Sequence, residues 1–215
     1  MANSVRVKLA LKFILVAANL CFLVIYVSGW TVPLIQSNKK SIVRRISYSK
    51  YPVDISFELK GQPLTSKETV LAGRRSNDFD ADGDWVKDLT IKIRNTSDKT
   101  ITWMLVNLLF PEVTKDGSMA LHQIFLGVDP DAPFPRPELR LQPHQTLTIP
   151  LNAKYDDIKH LVNVIGSGMP IEGVSKMEVE FHAALFDDDT RFETGTMFRR
   201  NSDPTDPQKW IKIED

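Results

Sequence analysis

Apolar and polar residues alternate with a period of two in several short runs, which predicts half-buried β-strands. Residues 53–59 (VDISFEL) alternate without a break, and residues 89–94 (LTIKIR) repeat the pattern. Residues 95–99 (NTSDK) provide turn chemistry before the apolar run 100–110, so we expect the strands on either side of this turn to form a hairpin. The pattern predicts further strands at residues 123–128, 139–141, 147–151, 177–186 and 191–199.

A single segment of this region has the spacing of a helix. Its apolar residues recur at helical intervals, two acidic residues suit its first turn, and Gly166 follows it, which predicts a helix over residues 155–165. About eight short strands punctuated by Pro, Gly and Asp, together with this one short helix, predict a mainly β fold. We therefore expect an antiparallel β-sandwich domain over residues 51–215.

The N-terminal part contains a long apolar run. Residues 13–35 (FILVAANLCFLVIYVSGWTVPLI) include no charged residue. As a helix they extend about 34 Å, which is enough to cross a hydrocarbon core of about 30 Å. This predicts a single-pass transmembrane helix that acts as an uncleaved signal anchor. A cleaved secretory signal is the main alternative, with residues 1–12 as its basic flank, and a buried helix of a soluble domain is a third.

Charge is distributed unevenly along the chain. Residues 1–50 carry eight basic residues and no acidic one, which leaves 19 basic and 27 acidic residues in residues 51–215. An acidic body lacks a phosphate-binding face, so we expect no nucleic-acid partner. Residues 36–50 are predicted to form a basic juxtamembrane linker. Its cations form either a polybasic strip on anionic membrane lipid or a solvated linker, and they include Lys39, Lys40, Arg44 and Arg45.

Two features bear on which side of the membrane holds the body. Three basic residues precede the apolar run and five follow it, and this count favours a cytoplasmic body. A short basic N-terminus directly before an apolar run is typical of exported chains, and for that reason we expect the body on the periplasmic side. The single cysteine, Cys21, lies inside the apolar run, so the body has no thiol for a disulfide or a nucleophile.

Parts of the body resemble bacterial immunoglobulin-like envelope domains. Residues 85–101 (WVKDLTIKIRNTSDKTI) are similar to the strand, Asn-Thr-Ser, strand opening of such domains. Residues 141–149 (LQPHQTLTI) resemble a later strand pair, with His144 where Gly is common. With residues 186–210, the body is similar to an uncharacterised family of exported acidobacterial proteins. The resemblance implies an immunoglobulin-like β-sandwich in the cell envelope and carries no assigned activity.

One acidic segment suggests a metal. Asp78, Asp80 and Asp82 in DFDADGD match the start of a calcium loop, because alternate carboxylates before a glycine can converge on one Ca²⁺ ion. A complete EF-hand loop requires Glu at its twelfth position, where this chain has Leu89. A Ca²⁺ site completed by other loops, such as residues 187–189, and an acidic loop without metal are therefore both open.

The sequence offers no catalytic signature. The G-x-S-x-G and P-loop patterns are absent, as is any zinc-type spacing of histidines. Trp210 is a candidate binding residue, unless it pins a terminal strand at 210–213 to a sheet edge. We expect a membrane-anchored envelope module that binds a protein or glycan partner without catalysis. A Ca²⁺-dependent binding module and an envelope hydrolase with an unrecognised site are the alternatives.

Overall fold

Two β-sheets account for most of the chain that can be described. The computed structural model describes residues 39–45, 51–65, 74–131, 136–203 and 205–213, all within the unit Asn38–Asp215. The predicted transmembrane or signal segment at 13–35 lies outside these residues. In the described part of the chain, no helix is long and apolar enough to cross a membrane.

Twelve strands and one α-helix make up the regular structure of these residues. In chain order the strands are β1 (Lys39–Arg45), β2 (Val53–Leu59), β3 (Gln62–Pro63), β4 (Arg74–Asp80), β5 (Leu89–Asn95), β6 (Ile101–Lys115), β7 (Ser118–Gly127), β8 (Thr146–Pro150), β9 (Lys176–Phe186), β10 (Thr190–Glu193), β11 (Thr196–Arg200) and β12 (Trp210–Lys212). The helix α1 spans Tyr155–Ile165, as the sequence predicts, and 3₁₀ turns occupy Leu151–Lys154 and Ile171–Gly173.

Strands β6 and β9 form the centre of the larger sheet. β6 pairs with β7 on one side and with β9 on the other. The far side of β9 pairs first with β1, which leads to β4, and further along with β10, which leads to β11 and β12. The pairing of β1 with β9 is parallel. The smaller sheet has the order β3-β2-β5-β8. The prediction of a mainly β, two-sheet fold with one short helix is confirmed.

The hydrophobic core lies between the sheets. Alternate residues of β2 and β5 are buried, and they belong to one apolar cluster with inward residues of β6 and β9. Helix α1 adds Ile158 and Val162 to the same cluster. Burial of each large aliphatic or aromatic side chain contributes about 1.5–3 kcal/mol, so this shared cluster is what joins the two sheets.

The predicted hairpin between β5 and β6 is wrong. β5 pairs with β2 and β8 in the smaller sheet, whereas β6 pairs with β7 and β9 in the larger one. The turn at 96–99 therefore carries the chain from one sheet to the other. Similarly, the predicted strand 191–199 is two strands, because Thr194 and Gly195 both adopt positive φ and form a turn. Within 139–141, Leu141 makes only an isolated bridge to Ile101.

The predicted basic linker at 36–50 contains a strand of the body. Lys40 in β1 is 5% exposed, and its Nζ donates to the carbonyl oxygen of Val174 over 3.0 Å. Arg44 forms an ion pair with Asp54 of β2, and Arg45 Nε lies 3.0 Å from Glu178 Oε2 of β9. Acidic and carbonyl groups of the body therefore contact these three cations, which the sequence predicts to lie in a linker. Lys39 is exposed at the start of β1.

Candidate functional site

Sheet edges are the places where a β-protein can accept a further strand, because an edge strand keeps unpaired backbone N–H and C=O groups. Among the described strands, the outermost of the larger sheet are β4, β7 and β12, and those of the smaller sheet are β3 and β8. One of these five edges is suited to binding a further strand.

Four of the five edges have features that disfavour pairing with another chain. β4 carries four charged side chains in seven residues. β3 has two residues, and β12 has three, including Lys212. β8 has five residues, exposes Thr146 and Thr148, and ends at Pro150, which has no N–H to donate. Short length, charge and proline are the devices that protect natural sheet edges.

Strand β7 has none of these protecting features. Its ten residues, SMALHQIFLG, include no Lys, Arg, Asp or Glu. Met119, Leu121 and Phe125 are exposed by 42%, 41% and 39%. All three occupy odd-numbered positions of the strand, so their side chains lie on the same face. We call Met119, Leu121 and Phe125 the apolar strip. An uncharged edge of this length with exposed apolar side chains is a predicted pairing site.

The apolar strip continues a buried row on the outer face of the larger sheet. Leu121 lies opposite Leu109 of β6, and Phe125 lies opposite Leu105. Leu105 belongs to a small buried cluster with Trp103, Ala183 and Leu185. The row from Ala183 through Leu105 to Phe125 is thus apolar from β9 to the edge at β7. The neighbouring row is polar, with Glu180, Asn107 and Gln123 joined by hydrogen bonds.

The opposite face of β7 borders a groove of about 630 Å³ between β7 and β8, which we call the β7 groove. Apolar side chains from both strands and from the segment before β8 line it, namely Ile124, Leu126, Leu139, Leu147 and Ile149. Charged side chains lie at its rim, namely Arg136, Glu138, Lys154 and Asp157. Both faces of the β7 edge are therefore apolar.

His122 is the titratable residue of β7, and it lines the groove. Partial burial lowers the pKa of its imidazole below the usual value, an effect that Asp157 opposes and Lys154 reinforces. The imidazole is consequently uncharged at neutral pH, and β7 carries no charge under those conditions.

β7 ends at Gly127, and Arg136 from the following segment contacts Phe125 near this end. Gly127 has φ +80°, and a Cβ there would lie 2.1 Å from the carbonyl oxygen of Thr102, so only glycine fits. The guanidinium of Arg136 stands 4.2 Å from the centre of the Phe125 ring, which is a cation–π contact. Phe125 is thereby held at the edge beside the groove.

The structure does not bring the three predicted calcium ligands together. Asp78 and Asp80 are residues of β4, where Asp78 accepts a hydrogen bond from Ser76 Oγ over 2.9 Å. Asp82 follows the strand, and its Oδ2 lies 3.1 Å from Lys60 Nζ. No group of three His, Cys, Asp or Glu residues in the described ranges is placed to hold a metal ion. The first half of the segment is an extended strand, which differs from the loop that the sequence predicts.

Trp210 pins the C-terminal strand, as one of the two predictions for it states. It begins β12, which pairs with β11 at the end of the larger sheet. Its indole ring lies 5.5 Å from the guanidinium carbons of both Arg191 and Arg200, and Nε1 donates to Asp131. These contacts give the indole a structural role.

The sequence reasoning missed β7 as a site. The relevant signal was present, since residues 117–128 (GSMALHQIFLGV) lack any charged residue in a chain that is 25% charged. No family model, curated protein or solved structure matches the chain. Its function is therefore inferred from the geometry of the β7 edge.

Proposed function

We propose that the protein is a membrane-anchored interaction module of the cell envelope, which binds a protein partner by strand addition at β7. The observation that carries this proposal is the uncharged ten-residue edge, with the apolar strip on one face and the β7 groove on the other. An extended partner segment would pair with the free backbone groups of β7. Its alternate side chains would then enter the groove and cover the apolar strip.

The chemistry of this edge favours a protein partner over a glycan. An edge strand presents N–H and C=O groups at the spacing of another peptide backbone. The side chains around these groups are Leu, Ile, Phe and Met, which gain free energy by contact with apolar surface. A partner strand with apolar residues on both faces is complementary to such a site.

Two observations on the sequence support the membrane placement. The uncharged run 13–35 has the length of a membrane span and follows a short basic flank. The resemblance to exported immunoglobulin-like domains agrees with a body on the periplasmic side. In this proposal the anchor keeps the body at the membrane, and β7 makes the contact with its partner.

A photo-crosslinker tests the binding edge. The amino acid p-benzoylphenylalanine would replace Gln123 of β7 in the full chain, in cells that make the protein, with replacement of the exposed Gln62 of β3 as the matched control. We expect light-dependent protein adducts from position 123 only, and their loss in a Phe125→Lys variant. Equal adducts from both positions, or adducts that persist in the Phe125→Lys variant, would contradict binding at β7. Adducts that glycosidases remove and proteases do not would identify a glycan and overturn the protein partner.

Protease accessibility tests the location. A C-terminal tag on the full chain would be exposed to protease in intact spheroplasts, and the size of the chain would be measured in parallel. Loss of the tag from a chain of full precursor length is the expected result. Protection of the tag until the membrane is lysed would place the body in the cytoplasm and overturn the proposed location.

A further inference from the structure

We infer that β7 binds β7 of a second copy of this chain, in an antiparallel pair with a two-fold axis at Gln123. The inference rests on the proposed function, because it names the partner of the same edge. It follows from the charge of the body, from the pattern of side chains along β7, and from the charge, short length or proline that protects the other described edges.

Charge limits where two copies can meet. The folded unit, residues 38–215, carries 27 acidic and 24 basic residues, so two copies have like net charge and repel each other weakly at long range. A contact between copies is favoured where that repulsion is weakest. β7 carries no charged residue, and the neutral form of His122 adds none at neutral pH. Self-pairing at β7 therefore places no like charges opposite each other, which would destabilise a strand pair.

The order of residues along β7 selects the register. In an antiparallel pair, directly opposite residues lie on the same face of the sheet. A two-fold axis at Gln123 places Leu121 opposite Phe125 of the second copy, and Phe125 opposite its Leu121. Gln123 then faces its own equivalent, so that two amides can bond to each other. Met119 falls opposite Gly127, where no side chain competes for space.

The neighbouring register, with the axis at His122, is less favourable. It places Leu121 opposite Gln123 of the second copy, which puts an apolar side chain against an amide. It also brings the two imidazoles face to face. The axis at Gln123 instead places apolar side chains against apolar ones and polar against polar on the outer face. The apolar row from Ala183 through Leu105 to Phe125 would then continue onto Leu121 of the second copy.

The pairing is closed at two copies. A two-fold contact uses the same edge on both chains, so neither β7 remains available for a third. The other described edges are protected by charge, short length or proline, so the joined sheet does not extend further. Dimerisation thus removes the one described edge that would otherwise favour uncontrolled association.

A symmetric disulfide tests the pair and its register. The full chain would carry Gln123→Cys together with Cys21→Ser, and membranes that contain it would be treated with a mild oxidant. Residues that face their own equivalent across the axis lie within disulfide reach. We expect a covalent species of twice the 24.4 kDa monomer mass. The matched control, Thr148→Cys in the exposed edge β8, stays monomeric.

A charge exchange tests the contact between Leu121 and Phe125. In the Gln123→Cys chain, Phe125→Lys alone and Leu121→Glu alone each place two charges in apolar surroundings, and we expect each to lower the cross-linked fraction by at least tenfold. The double variant places an introduced carboxylate opposite an introduced ammonium twice across the axis, and we expect it to recover most of the cross-link. Recovery in the double variant also shows that the single variants did not fail by misfolding.

The outcomes separate this inference from the proposed function. If the Gln123→Cys variant stays monomeric, and the separate variant with the photo-crosslinker at 123 reacts with a different protein, the second copy is overturned and the interaction module stands. A monomeric chain without such adducts would overturn both. Stronger self-cross-linking at Leu121→Cys or Phe125→Cys than at Gln123→Cys would overturn the register, and equal cross-linking at Thr148→Cys would overturn specific pairing.

Discussion

Trp210 and Asp131 join the C-terminal strand to the loop that follows β7, since the indole Nε1 donates to Asp131 Oδ2 over 3.0 Å. The other carboxylate oxygen accepts hydrogen bonds from Arg200 Nη2 at 3.2 Å and from Lys209 Nζ at 3.3 Å. Burial of Asp131 opposes its ionisation, but these three donors outweigh burial and hold the pKa of Asp131 below its usual 3.8. One carboxylate thus anchors three residues near the chain end.

This arrangement predicts a pH dependence of stability. Because the pKa of Asp131 is depressed in the folded state, its contribution is present above about pH 4 and is lost as the pH falls through the folded pKa. We expect the free energy of unfolding, measured with urea between pH 6 and pH 2.5, to fall less steeply in Asp131→Asn than in the wild type. Trp210→Phe keeps an aromatic ring, removes the Nε1 donor, and should give an intermediate slope. Parallel curves for all three proteins would contradict the role of Asp131.

Lys40 provides a test of whether β1 belongs to the body. Its Nζ shares the Val174 carbonyl oxygen with Trp85 Nε1, which donates over 2.9 Å. Lys40→Ala removes the buried stem and one hydrogen bond, so we expect thermal unfolding to show a loss of about 1–3 kcal/mol. The control is Lys39→Ala at the exposed neighbouring position, for which we expect less than about 0.5 kcal/mol. Equal, small effects would favour the linker that the sequence predicts.

The successes and failures of the sequence reasoning have a common physical origin. The position of α1 and the existence of most strands depend on local periodicity, which is visible in the sequence. The partner of a strand depends on distant residues, and for this reason β5 and β6 were wrongly joined as a hairpin. β1 was missed because its cations look solvated until Glu178 and Val174 are placed beside them. The exposure of the β7 edge likewise depends on which strand lies next to it.

Asn95 connects the two sheets at the point where the chain passes between them. It is fully buried, and its Nδ2 donates to the carbonyl oxygens of Lys99 and Leu141 over 2.7 and 2.9 Å. Its Oδ1 accepts from Ser97 N at 3.0 Å and from Ser97 Oγ at 2.7 Å. Four bonds from one buried amide make this position intolerant of a change in hydrogen-bonding capacity.

The corresponding prediction concerns Asn95→Asp. The substitution replaces two donors by an acceptor that faces two carbonyl oxygens, so we expect a loss of at least about 3 kcal/mol in urea unfolding at pH 7. Ser97→Ala removes one partly buried hydroxyl and should cost about 1 kcal/mol. A loss below about 1 kcal/mol for Asn95→Asp would show that the amide does not hold the crossing.

The backbone conformation of His144 predicts that glycine at this position would stabilise the protein. It stands in the turn before β8 with φ 63°, a left-handed conformation that costs a residue with a β-carbon about 1–2 kcal/mol and costs glycine almost nothing. Glycine also increases the entropy of the unfolded chain, which offsets part of the gain. We therefore expect His144→Gly to raise the free energy of unfolding by about 0.5–1 kcal/mol, and the melting temperature by about 1–4 °C. His144→Ala keeps the β-carbon and should give no such increase, so equal stability of the two variants would show that backbone strain at this turn is not relieved by glycine.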